Sequence, residues 1–137
     1  MPKVNGILET AIYAADLHQT AAFYRRIFNF DTLLESERLI ALNVSGQNVL
    51  LIFKSGATNE PFETPGGTIP WHNGAGANHF AFSISAQDVS SWLKHLESAG
   101  VAVESVVKWE GGAQSLYFRD PDDHLVELIT PGFWRFS

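Results

Sequence analysis

Three ionisable residues stand inside otherwise apolar, strand-like runs of this 137-residue chain: Glu9 in GILETAIYA, His79 in NHFAFSIS and Glu127 in HLVELIT. Strand side chains alternate between faces, so Val126 and Leu128 share one face of the last run while Leu125, Glu127 and Ile129 share the other. Both faces are apolar, and a carboxylate buried there without a partner carries a cost of several kcal/mol. The chain has no cysteine, which excludes disulfides, thiolate nucleophiles and thiolate metal sites. Any metal must therefore be held by nitrogen and oxygen. No GxSxG elbow is present. The Gly-rich stretch before His79 lacks a GK[ST] ending and leads into a strand where a phosphate cradle needs a helix N-terminus.

The elements that position these residues are written almost twice. A strand over residues 6–14 is followed by a helix opened by Asp16 with Gln19, a capping-box pair, and running to about Phe28 on the stripe Leu17, Ala21, Phe23, Tyr24, Ile27 and Phe28. The runs DTLLES, RLIALNV and NVLLIFK then read as three strands, with Ser45-Gly46-Gln47 as the turn between the last two. Residues 55–77 show no periodicity and read as a long functional or mobile connection. The order then returns. NHFAFSIS is a strand, Ser85 with Asp88 makes a second capping-box pair, VSSWLKHLESA is a helix stopped by Gly100, and VAVESVVKW, QSLYFRD and HLVELIT are strands. The aromatic tail 132–137 is expected to pack.

The chain thus reads as one domain built from a module at about 6–54, a connection, a second module at about 78–131 and a tail. Neither half is large enough to close a core alone, so an α+β architecture is expected in which two paired βαβββ modules form a cupped, antiparallel-rich sheet. Setting Glu9 against His79 places each seven residues before its helix region, at Asp16 and Ala86, and sets Leu51 against Glu127. The three polar groups then occupy corresponding points of a repeated scaffold.

Composition bounds the partners. Nine Lys and Arg against fifteen Asp and Glu give a net charge of −6, and the cations are scattered, so no nucleic-acid footprint is expected. The apolar run VLLIF is too short to span a bilayer and the start MPKVNGILET lacks a secretion core, so no membrane partner and a cytoplasmic location are expected. Small molecules and other copies of the chain remain.

DLHQTAAFYRRIF at 16–28, NHFAFSI at 78–84 and SLYFRDPDDHLVELITP at 115–131 resemble the vicinal oxygen chelate superfamily, which includes glyoxalase I, extradiol dioxygenases, fosfomycin-resistance enzymes and bleomycin-resistance proteins. The resemblance covers nearly the whole chain and implies the glyoxalase/bleomycin-resistance/dioxygenase fold. It implies a cup holding one divalent metal ion, with ligand positions at Glu9, His79 and Glu127. It also implies a homodimer whose sites are shared between chains, Glu9 from one and His79 with Glu127 from the other. The fourth ligand position of glyoxalase I falls on Leu51, which departs from that branch; Glu9 stands where extradiol and fosfomycin enzymes generally have His. In the turn before Glu127, Asp123 replaces the family's usual Gly and is expected to take a left-handed conformation.

Two carboxylates and an imidazole form a hard ligand set suited to Fe, Mn, Zn, Ni or Co, and their charge balances one divalent ion. Three protein ligands leave positions for a chelating substrate. The resemblance therefore implies a metalloenzyme that chelates vicinal substrate oxygens, with dioxygenase-like chemistry ahead of glyoxalase I chemistry and lyase, isomerase or group-transfer reactions open. Tyr117, ten residues before Glu127, matches a metal-proximal tyrosine of the extradiol and fosfomycin branches and is the expected catalytic partner of Glu127. Phe53 and Trp71 are expected to line the substrate pocket. His18 and His95 are expected to be solvated, His124 has the wrong parity to join Glu127, and His72 in WHNGAG is a loop residue within possible reach of the site. The rival reading is a metal-free binding or sequestration protein of the bleomycin-resistance type, gripping an aromatic ligand.

Overall fold

The run ETAIYA alternates exposed and covered positions and forms strand β1 (Glu9–Ala14), with Ile12 and Ala14 buried opposite Glu9, Ala11 and Tyr13. Helix α1 (Leu17–Phe28) starts where Asp16 accepts a 3.1 Å hydrogen bond from the Gln19 N–H, so the expected cap forms. It ends at Asn29 (φ 58), a residue that tolerates the left-handed region. Its buried stripe, Leu17, Ala21, Phe23, Tyr24 and Ile27, matches the sequence pattern except at Phe28, which is half-buried. Strands β2 (Thr32–Glu35), β3 (Leu39–Val44) and β4 (Asn48–Lys54) complete a four-stranded sheet of order β1-β4-β3-β2, in which β1 is parallel to β4 and the other pairs are antiparallel.

The computed structural model describes all 137 residues as two compact units, Met1–Ala75 and Gly76–Ser137. In the second, strand β7 (His79–Ser83) leads through a 3-10 turn at Ala86–Asp88 into helix α2 (Val89–Ser98). Strands β8 (Ser105–Lys108), β9 (Gln114–Arg119) and β10 (Leu125–Ile129) follow in a sheet of order β7-β10-β9-β8. The second capping box is not formed. The tighter 3-10 turn already gives the Asp88 N–H to the Ser85 carbonyl at 3.0 Å, and the Ser85 side chain makes no cap bond. Helix α2 stops as expected at Gly100 (φ +74), with the Val101 N–H on the Leu96 carbonyl at 2.9 Å and the Gly100 N–H on that of Glu97 at 3.0 Å.

The connection within the first unit is more ordered than its composition suggests. Residues Phe62–Thr64 (β5) and Gly67–Ile69 (β6) pair as a hairpin, too short for alternation to show in the sequence. Thr58, fully buried, donates its hydroxyl to the His72 carbonyl at 2.6 Å and accepts the His72 N–H at 3.0 Å. Gly74 lies against Tyr13 so closely that a Cβ would stand 2.3 Å from the ring.

The duplication holds at the level of strand register. Glu9 pairs with Val49 and Ala11 with Leu51, while His79 pairs with Leu125 and Ala81 with Glu127. Across the antiparallel neighbour, Leu51 faces Ala41 as Glu127 faces Tyr117. Leu51 and Glu127 therefore share one address in the two units. No helix is long and apolar enough to cross a membrane.

Candidate metal centre

On β10, Val126 and Leu128 are fully buried and Glu127 points to the opposite face, where it is 7% exposed. Its two oxygens are treated differently. Oε2 accepts a 2.5 Å hydrogen bond from the Ser115 hydroxyl, and Ser115 in turn accepts from the Trp109 indole N–H at 2.9 Å. Oε1 lies 3.2 Å from His79 Nε2. The register explains the convergence: Tyr117 is directly opposite Glu127, Ser115 sits two residues along β9, and His79 sits diagonally across the parallel β7–β10 pair.

His79 Nδ1 is 2.9 Å from the Leu125 carbonyl oxygen. A carbonyl only accepts, so Nδ1 carries a proton and the lone pair of a neutral ring resides on Nε2. That lone pair faces a carboxylate oxygen. Two acceptors at 3.2 Å repel unless a proton or a cation lies on both. Nitrogen and oxygen donors bound at about 2.0–2.2 Å to one divalent ion, at angles of about 90–109°, stand about 2.9–3.5 Å apart. The observed separation falls within that range, so the pair fits a shared ion. The hydrogen bond to Leu125 also fixes the ring orientation, as the outer partner of a ligating histidine does.

Tyr117 borders the same carboxylate. Burial pushes its phenol above the usual tyrosine value, the charge of Glu127 adds to that, and the Ser115 hydroxyl offsets part of it. No arginine neutralises Glu127; Arg119 pairs with Glu104 at 3.2 Å instead. The tail packs only in part: Phe133 lies 4.6 Å from the Trp109 ring, but Trp134 and Phe136 are exposed.

Of the residues expected at the site, the second unit brings together His79, Glu127 and Tyr117. Glu9, Phe53 and Trp71 belong to the first unit. Glu9 opens β1 at the sheet edge and is exposed. Phe53 is 6% exposed, packed against Tyr13 at 6.0 Å and His72 at 4.6 Å, while Trp71 is 63% exposed. Three residues went unrecognised in the sequence. Ser115 and Trp109 orient Glu127, and only the parity of Ser115 with Tyr117 pointed to the former. Tyr13 bonds His72 Nδ1 at 2.6 Å across 59 residues of chain.

A second group, Asp120, Asp122 and His124, also has ligand atoms within 4.8 Å of one another. Both oxygens of Asp120 are already engaged, Oδ1 by the N–H groups of Asp122 and His124 and Oδ2 by His124 Nδ1 at 2.8 Å. The set is a turn with Asp120 and His124 buried, in which Asp123 takes φ 64, the left-handed conformation expected for it. The Asp120 hydrogen bond raises His124 above the usual histidine value, against the lowering effect of burial.

The fold and the acid–imidazole pair define a class. A sequence profile of the Glyoxalase/Bleomycin resistance protein/Dioxygenase superfamily matches residues 6–128, and the chain belongs to that family, the vicinal oxygen chelate superfamily. It is 32% identical over 129 residues to the metallothiol transferase FosB of Bacillus licheniformis, covering 93% of this chain and 77% of that protein. It superposes on a crystal structure of lactoylglutathione lyase from Agrobacterium tumefaciens with a TM-score of 0.89 and 31% identity, over 98% of this chain and 100% of the other. The fosfomycin resistance protein FosX of Listeria monocytogenes, solved with Mn(II) and sulfate, shares the fold at a TM-score of 0.70 and 23% identity over 96% and 94% of the chains.

Proposed function

We propose that the protein is a metalloenzyme that binds one divalent ion through His79, Glu127 and Glu9 and acts on a small, oxygen-rich substrate. The observation that carries this reading is the His79 Nε2–Glu127 Oε1 separation of 3.2 Å with Nδ1 committed to a backbone carbonyl. Glu9 is assigned by its register, which is that of His79 in the other module, and it serves from the same chain or from the second copy of a homodimer. These residues would hold the ion, which would supply Lewis-acid stabilisation of negative charge on adjacent substrate oxygens. Ser115 and Trp109 keep the Glu127 carboxylate from rotating. Tyr117 is a hydrogen-bond donor beside it and is placed to orient a substrate oxygen or pass it a proton. Phe53 and Trp71 are proposed to contribute apolar contact to the substrate.

The metallothiol transferase relative favours group transfer over ring cleavage, and Leu51 in place of a fourth ligand separates the site from glyoxalase I. Metal analysis of protein purified without chelator is expected to find one divalent ion per chain, which Glu127→Ala and His79→Ala each remove. An absent ion, or metal content unchanged in both variants, favours the metal-free binding protein instead.

A further inference from the structure

Arg38 precedes β3 in the first unit, and its guanidinium carbon lies 4.4 Å from the Phe62 ring centroid and 5.5 Å from that of Phe53. The two rings hold the guanidinium but offer its N–H edge no acceptor. Its Nε is buried and has no hydrogen-bond partner, and Arg38 joins none of the chain's ion pairs. A charged donor in that condition carries a desolvation cost that an acceptor beside it removes.

Arg38 also lines an open cavity of about 510 Å³ with Lys54, Ser55, Phe62 and Glu37, a size that suits a small-molecule ligand. Lys54 is likewise in no ion pair, and the single acid, Glu37, lies within 4.0 Å of neither cation. Two cations against one acid leave the cavity wall net positive. Phe62, 44% exposed, adds an apolar surface beside the charge.

We propose that Arg38, seated between Phe53 and Phe62, anchors a binding site for a small-molecule oxyanion, a carboxylate or a phosphate or phosphonate group, with Lys54 adding charge. The forked N–H donors of a guanidinium match the oxygens of such a group. None of its residues is a proposed metal ligand, so although Phe53 is shared with the proposed substrate contacts, metal content and anion binding are tested separately.

The Arg38 Nε–H group is observable in ¹⁵N–¹H spectra, so the test reads the atom in question. Full-length protein, stripped of metal and dialysed free of chelator, is titrated at constant ionic strength with inorganic phosphate and, separately, with benzoate. A saturable shift of the Arg38 Nε–H signal is expected with at least one of them; stronger binding of phosphate assigns a phosphorus oxyanion, and stronger binding of benzoate a carboxylate. Arg38→Lys keeps the charge but not the fork and is expected to weaken binding about tenfold or more. No saturable shift with either anion in the wild type, or equal affinity in a folded Arg38→Lys protein, overturns the proposal.

Discussion

Replacing Ser115 with alanine removes the group that stands between Trp109 and Glu127. The lost bond is a 2.5 Å contact to a carboxylate that is 7% exposed, and hydrogen bonds to charged groups contribute about 1.5–3 kcal/mol. The Trp109 indole N–H, part-buried, loses its 2.9 Å acceptor, which adds about 1 kcal/mol at the low end of the cost of an unsatisfied donor. Ser115→Ala is therefore expected to lower the unfolding free energy of the metal-free protein by about 3 kcal/mol, and Trp109→Phe, which leaves the carboxylate bond in place, by about 1 kcal/mol. Urea denaturation measures both. Because the carboxylate is then free to rotate, calorimetric titration with Mn²⁺ or Zn²⁺ is expected to show affinity about 10–100-fold lower in Ser115→Ala. Stability within about 0.5 kcal/mol of wild type together with unchanged metal affinity would refute the view that this hydroxyl positions Glu127.

Gly74→Ala places a methyl group 2.3 Å from Tyr13 Cε2 and 2.5 Å from Cδ2, and the ring is held by Phe53 and His72, so a loss of about 1–3 kcal/mol is expected. Denaturant melts should show much of that loss recovered when Tyr13→Ala is added, since the clash partner is then gone. His124 tests the buried turn. Its folded-state pKa is raised by Asp120, so the stability it contributes is complete below about pH 6.5, the unfolded value, and fades as pH rises through the folded value. The stability difference between wild type and His124→Gln, measured by denaturation across that window, should shrink toward alkaline pH; a difference that grows with pH contradicts the assignment.

Much of the scaffold is legible because the two modules repeat the same local signals. NVLLIFK marks β4 to the residue, Asp16 caps α1, and Asp123 takes the αL turn. The failures are local competitions and distant contacts. Ser85 loses its capping role to a 3-10 turn that uses the same donor, and the β5–β6 hairpin is too short to display a period. Glu127 stands out because a carboxylate in an apolar run needs an explanation. Ser115 and Trp109 do not, since a strand serine and a turn tryptophan are unremarkable until cross-strand geometry stacks them on that acid. His124 has the wrong parity for the ligand face, as its sequence position shows, but its burial at 1% exposure depends on Asp120 folding back over it.

Leucine already fills, at position 51, the place in the first sheet that an acid fills at 127 in the second. The molecule thus contains its own control experiment: hydrocarbon is an acceptable occupant of that spot, and the backbone around it closes without a charge. An aliphatic residue at 127 should accordingly fit the backbone there, at the cost of the bonds that Ser115 makes to the acid.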